Sequence, residues 1–567
     1  VRRKGLALAL SLLASSSLAS EGAPAKGVET GDIDRSVSPC ADIDAFANGA
    51  WRAANPIPPS MARWSRLHAA AEAAKDERAL LLAQRTGSPL ADHYAACMDE
   101  ARVEALGREP VQPLLAEIDG LEDIAGVQRI LGRLHDRGIA VPFGVEAGRS
   151  PRDPSRVVAH VVPGELGLPG REHDLSPEPP LREVREKYRV HVAHLIELGG
   201  ATRAASRQAA EAVFAMERQL AAAMADASAS RTARETSFVE LTILAPNVDW
   251  PGYFDAAKLA RAALVVEDPA FLRAVDQLFL MRPLASWKAY LKFHLLRAAA
   301  PFLASAFVTE AFSFEGRALG GVPEMKPRAT RCVEAVDADL ALTMGRAMGR
   351  RVSPEAQAAV QAIAKQVVAA AEEEIRGLAG LAPRARTEAL ARLARLSVTV
   401  GAPAGAKDEP AVTIGRETLW ANVVALRERR VADERARIGR PAAPDEIVLS
   451  ADLLRPPAQR LDAAEAVSYG AIGSLIGDRV AGLIEGLPLD GTRLALRAYR
   501  ASRQGRPDAP TLDGLTPEQQ FFVAWAQLRG EAVRPEAARL GTPAPDLAAR
   551  LAGLPEFRKA FACPAQP

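Results

Sequence analysis

Histidine is scarce and one-sided in this chain: all eight lie at or before His294 of 567 residues, and none follows. A metal site that needs two imidazoles cannot therefore be assembled from the second half alone. Cysteine is scarcer still, with four residues, and no G-x-S-x-G run occurs, which excludes the nucleophile-elbow motif of serine hydrolases. Neither sign of charge dominates: 71 Lys and Arg oppose 70 Asp and Glu, a net charge of +1. Bulk electrostatics thus steer neither nucleic acid nor an anionic membrane towards the chain. Beyond the N-terminus no apolar stretch reaches ~18 residues without a charge, so no membrane span is expected.

What is present reads as an exported globular protein. Arg2, Arg3 and Lys4 precede an apolar run from Gly5 to Leu13 and then small residues, the pattern of a signal peptide over residues 1–20. Residues 21–37 are small and polar and read as a flexible lead. Export implies a periplasmic or extracellular setting, where four cysteines suggest two disulfides in any of three pairings. A hydrophobic content of 48% over this length suits two lobes rather than one core. From about residue 67 to 390 the pattern is a succession of amphipathic helices. Leu181–Leu198 carries Val184, Tyr188, His191 and Leu195 on one stripe and ends at Gly199-Gly200. A second helix opens with Ser353 as N-cap and Pro354 in its first turn. Residues 381–411, with Pro383, Gly401, Pro403 and Gly405, read as a crossing between lobes. The ALRERR run around Arg427 reads as a solvated helix face.

The most informative stretch runs from Tyr469 to Glu485. Apolar residues at 472, 475, 476, 480 and 483 recur at helical spacing, and glycines at 473, 477 and 482 allow close packing. The run YGAIGSLIG resembles the active-site helix of the neprilysin family of zinc metallopeptidases, where it leads into His-Glu-x-x-His. That i, i+4 spacing puts two imidazoles on one helix face to hold zinc, with the glutamate as general base. Here the run leads into Asp478-Arg479-Val480-Ala481-Gly482. The resemblance continues in SPCADIDAFANGAW, LGLPGREHDL, DEIVLSADLLRPP, LRAYRAS, LTPEQQFFVAWAQLRGEAVRPEA and PEFRKAFACP, covering Pro39 to Pro564.

The resemblance implies a mainly α (α+β), two-lobed fold: a shortened, thermolysin-like C-terminal lobe capped by a large helical lobe. Residues 38–405 fall in its N-terminal region and 430–567 in its C-terminal region. It implies disulfides Cys40–Cys563 and Cys97–Cys332, and the loss of a third bridge at Ala47 and Gly530. It places Asp478, Arg479 and Gly482 where the family has ligand, base and ligand. Leu487 and Gly491 fall where the third ligand and its supporting aspartate belong. Arg437 and Ile438 replace a substrate-binding Asn-Ala pair upstream of the edge strand DEIVL. Asp546 replaces a substrate-binding arginine, and Leu540 an oxyanion-stabilising histidine.

Asp478, Glu485 and Asp490 could form an all-oxygen cluster, but pairing of Asp478 with a nearby arginine is the simpler expectation. His191 and His194, with Glu197, have metal-ligand spacing, yet His191 continues an apolar stripe and is expected to pack. The expectation is an exported pseudopeptidase without the family's zinc or any other cofactor, binding a peptide or protein. A divergent metalloendopeptidase acting on small peptides, and a structural partner of an active homologue, are the alternatives. The sequence sets no oligomeric state.

Overall fold

Two disulfides bring distant segments together. Cys40 bonds Cys563 across a sequence separation of 523, and Cys97 bonds Cys332 across 235. These are the two pairings that the family resemblance implies. In the chain-entropy picture loops this long stabilise by roughly 5 to 6 kcal/mol each, before any strain is subtracted. The computed structural model describes residues 26–84, 87–224, 233–406, 412–484 and 486–564; the expected signal peptide lies outside them.

Apolar side chains gather into two large cores. One is built from the middle of the chain, from Cys97 to Phe314, and is completed by Cys332, Leu419, Trp420, Val423 and Leu540. The other unites the two ends: Ile43, Phe46 and Leu82 pack with Val360, Ile363, Ile472, Ile476, Phe521, Phe522 and Trp525. Two helical lobes result, the second made from both chain ends, so region 38–405 contributes to both cores. Strands are few and short among the described residues: β1 (Arg63–Ser65), β2 (Phe143–Arg149), β3 (Val157–Pro163), β4 (Arg234–Thr236), β5 (Leu264–Val266), β6 (Ser397–Val400), β7 (Glu446–Leu449) and β8 (Glu531–Val533). They form a four-stranded sheet of order β2-β3-β5-β4 and two pairs, β1-β8 and β6-β7. Among the described residues no single helix is long and apolar enough to cross a membrane.

Local sequence explains the main helices. The Pro354–Gly377 helix begins where expected, with the Ser353 side chain accepting from the Ala356 N–H, and buries Val360, Ile363, Val367, Ala371 and Ile375. The helix at Pro179–Leu198 buries Val184, Tyr188, His191 and Leu195, and Gly200 leaves it at φ +106°. Three local expectations need correction. Residues 26–37 are packed rather than loose: Lys26 bridges to Ala463, Val28 and Ile33 are buried, and Gln527 bonds the backbone of Glu29 at both N and O. The 381–411 segment is not a plain crossing but holds the Pro383–Leu393 helix and β6. Arg427 is drawn off the solvated face, its guanidinium lying 5.5 Å from the Phe302 ring centre and 5.8 Å from that of Trp420.

The LGLPGREHDL segment folds onto a buried polar network. Glu217 accepts from the Gly167 N–H at 3.0 Å and from the Tyr188 hydroxyl at 2.5 Å, and His294 Nε2 lies 3.0 Å from it. Next to this network Asp174 is 1% exposed and neither carboxyl oxygen has a hydrogen-bond partner. Burial, reinforced by the Glu217 charge, pushes its pKa from 3.8 to about 7 against the pull of Arg185 and Arg218. Because the folded-state value is raised, this group's contribution to stability is full below pH 3.8 and is lost as pH climbs to about 7. Between pH 5 and pH 8 the chain is expected to lose on the order of 2 kcal/mol through this carboxyl. Asp174→Asn should flatten that part of the slope in urea unfolding; an unchanged slope would assign the titration to another group.

Candidate functional site

Residues 469–483 fold as expected into a helix that is largely buried, with a π-helical turn over Tyr469–Gly473 leading into an α-helix over Ser474–Leu483. Its glycines explain how closely it is held. A Cβ on Gly470 would lie 2.1 Å from Phe521 O, and one on Gly477 would lie 2.2 Å from Gly491 O. From the other side, a Cβ on Gly491 would lie 2.2 Å from the Asp478 nitrogen. The Ser474–Leu483 helix and the following Gly491–Arg503 helix therefore touch backbone to backbone. Asp490 caps the second of these, accepting from the Arg493 N–H at 2.7 Å.

Asp478 stands beside this crossing and is bound to cations. Its Oδ2 accepts from Arg529 Nη2 at 2.5 Å, and its Oδ1 lies 3.7 Å from Arg550 Nη2. Arg529 also donates to Ser474 Oγ at 2.7 Å, and that hydroxyl in turn donates to the Gly470 carbonyl. Both guanidinium groups lie over Trp525, at 4.8 Å and 5.4 Å from the ring centre. Burial pushes the Arg529 pKa down, and the adjacent Asp478 charge works against that shift.

The remaining aligned positions are placed as follows. Arg479 and Gly482 are exposed and Leu487 is half-buried; Glu485 lies outside the described residues. Arg437 and Ile438 follow the Leu419–Arg435 helix in a turn tied to β3, through Gly439 N to Val157 O at 2.8 Å and Val157 N to Arg440 O at 3.0 Å. Leu540 is buried and its carbonyl accepts from His173 Nε2 at 3.0 Å. Asp546 caps the Leu547–Ala552 helix, from which Arg550 reaches Asp478. A catalytic zinc site of this type needs two imidazoles and a carboxylate around an open position. Of the five aligned positions only Asp478 offers an anionic donor, and that donor is engaged by arginine. Arg479 is a cation, Leu487 is hydrocarbon, and Gly482 and Gly491 have no side chain. These residues do not fit zinc.

Three further arrangements were flagged by the sequence. His191 and His194 both bond Glu310, through Nδ1 at 2.9 Å and 3.1 Å, and His191 stacks on Phe314 with ring centres 4.7 Å apart. Burial alone would raise the Glu310 carboxyl, but the two imidazoles hold it below its usual range. Their carboxylate partner is Glu310, which no local spacing could reveal, and not Glu197. Beside Ala47 and Gly530, where the resemblance implies a lost third bridge, Asn48 donates to Ala526 O at 3.0 Å and accepts from Arg66, which also donates to Gln527 O at 3.0 Å. A polar network thus joins the Ile43–Ala54 and Pro517–Arg529 helices there. β7 pairs in parallel with β6 alone, with Ile447 buried and Val448 41% exposed, so its other edge has no strand partner among the described residues.

A mainly helical, two-lobed chain whose ends unite around this helix has the architecture of a zinc-metallopeptidase scaffold. Residues 39–403 match the family model described as Peptidase family M13, and the chain belongs to that family. It is similar to Mycobacterium tuberculosis zinc metalloprotease ZMP1 in complex with an inhibitor, at 25% identity and a TM-score of 0.84 over 96% of this chain and 97% of that one. Against the open state of ZMP1 the TM-score is 0.67, at 25% identity over 94% and 98% of the two chains. Endothelin-converting enzyme-like 1 of Mus musculus is 22% identical over 501 residues, which is 79% of this chain and 64% of the relative. The chain thus spans less than two thirds of that relative's length.

Removing Asp478 would leave Arg529, whose side chain is 8% exposed, without its carboxylate. With Asp478 itself 34% exposed, solvent screens part of the loss. Asp478→Ala is expected to destabilise by on the order of 2 kcal/mol in urea unfolding, and adding Arg529→Leu should recover part of it. A single-variant loss below about 0.5 kcal/mol would mean the pair carries no structural weight.

Proposed function

We propose that this chain is a non-hydrolytic member of peptidase family M13, an exported pseudopeptidase that binds a peptide or a protein segment without cleaving it. The observation that carries the reading is the Asp478 neighbourhood, where a carboxylate clamped by Arg529 and Arg550 lies beside the Gly477–Gly491 contact, at a position that the family resemblance aligns with a zinc ligand. Without a bound metal of this type there is no water of lowered pKa to attack a peptide bond. The edge of β7 that has no strand partner among the described residues supports binding, since an extended peptide can add to such an edge by main-chain hydrogen bonds. The higher similarity to the inhibitor-bound ZMP1 than to its open state supports a closed arrangement of the lobes. Two disulfides and the family support a periplasmic or extracellular setting.

The test combines three readouts on one preparation purified with excess zinc: elemental analysis, hydrolysis of a peptide library, and binding of the same library. The expected result is far less than one zinc per chain, no chelator-sensitive cleavage, and saturable binding of a subset of peptides. Stoichiometric zinc with chelator-sensitive cleavage would overturn the reading in favour of a divergent metalloendopeptidase. Absence of peptide binding together with co-purification of an active homologue would replace it with a structural role.

A further inference from the structure

Away from the Asp478 neighbourhood, and sharing no residue with it, a cavity of about 390 Å³ opens beside the Cys97–Cys332 disulfide. Its size falls within the range of small-molecule sites. Phe302, Val308, Phe312 and Leu419 supply apolar walls. One wall is a π-helix over Phe312–Leu319, a geometry found mostly where function requires it. Gly316 belongs to that wall, and a Cβ there would lie 2.4 Å from the Phe312 ring, so the glycine lets the ring lie across the cavity lining.

Four charged residues line this cavity, Glu315, Arg328, Arg331 and Glu334, and three of them are paired: Glu315 lies 3.5 Å from Arg297. Glu334 is engaged by Lys75 and Lys326. Arg328 donates to the Cys97 carbonyl at 2.8 Å and lies 3.7 Å from Glu100. Arg331 lines the same cavity and donates through Nε to the Lys326 carbonyl at 3.2 Å. Among the described residues it forms no ion pair. Burial, reinforced by the Arg328 charge, lowers its pKa, and the charges of Glu100 and Glu334 offset only part of that. A half-buried guanidinium whose two Nη atoms have no hydrogen-bond partner among the described residues is suited to a carboxylate.

We propose that this cavity binds a small apolar molecule ending in a carboxylate, with the hydrocarbon against Phe302, Val308, Phe312 and Leu419 and the carboxylate on Arg331. A free fatty acid and the C-terminal residue of an apolar peptide share that chemistry. Isothermal titration of the full chain with octanoate, with N-acetyl-leucyl-phenylalanine and with uncharged 1-octanol separates the sources. The expected result is saturable binding of at least one of the two acids. Arg331→Gln should weaken that acid by at least about tenfold, the loss of one charge-assisted contact, while 1-octanol is unaffected. Val308→Trp, which fills the cavity, should weaken acid and alcohol alike, and Arg331→Lys should retain part of the acid affinity. Octanoate binding alone identifies a fatty acid as occupant, and binding of the peptide acid alone identifies a chain terminus. Heat from neither acid, or an Arg331→Gln variant with parental melting temperature and parental acid affinity, would overturn the proposal. Neither result bears on zinc or hydrolysis, so its failure is distinguishable from failure of the pseudopeptidase reading.

Discussion

Gly477 and Gly491 meet where two helices cross with no side chain between them, and the second lobe is arranged around that contact. Any Cβ on either glycine would come within 2.2 Å of backbone on the other helix, a separation that no repacking of side chains relieves. The crossing therefore sets where the Ser474–Leu483 helix lies and which groups its next residue can reach. Asp478, one position on, finds Arg529 from the Pro517–Arg529 helix and Arg550 from the Leu547–Ala552 helix. Three helices are thus tied at one carboxylate, over the face of Trp525. Such a partly buried pair contributes less to net stability than to holding one arrangement over others, because desolvation offsets much of the attraction.

The same economy recurs on the other side of the lobe. Where the family resemblance implies a lost bridge between the first helix and the Pro517–Arg529 helix, Asn48 and Arg66 link the same elements by hydrogen bonds to Ala526 O and Gln527 O. A Cβ at Gly530 would strike Asn48 at 2.1 Å, so the small residue at 530 and the amide at 48 fit one another. Polar networks of this kind are effective only when every member is satisfied, and both atoms of the Asn48 amide are.

Much of this was legible in the sequence, and the division between what was and what was not is physical. The Ser353-Pro354 start, the stripe on Leu181–Leu198 and the buried Tyr469–Leu483 helix are written in local periodicity and capping chemistry. Two lobes were expected from length and hydrophobic content, whereas the two disulfide pairings came from family resemblance, since four cysteines alone allow three. Asp478 could be expected to find an arginine, but Arg529 lies 51 residues away and no local pattern names it. The glycines were only partly readable: Gly477 is a contact point, whereas nothing lies within 4 Å of a Cβ at Gly482, and Gly470 and Gly491 carry the close approaches that spacing alone did not mark. Residues 26–37 looked loose because Val28 and Ile33 are isolated apolar residues in a polar stretch, and their burial depends on partners near residues 463 and 527. The partner of His191 and His194, Glu310, is more than a hundred residues distant.

The second core draws on residues from Val28 to Leu90 and on residues from Val333 to Phe557, and this bears on the order in which the chain can mature. While the polypeptide is being made, the middle segment can bury most of its own apolar surface as soon as it emerges. The first ninety residues cannot. Ile43, Phe46 and Leu82 must wait, unpartnered, until the helix bearing Phe521, Phe522 and Trp525 has been synthesised, and Cys40 until residue 563 arrives. An apolar N-terminal segment left waiting through several hundred residues of elongation is a target for holding chaperones, because the second core cannot close before its C-terminal helices exist.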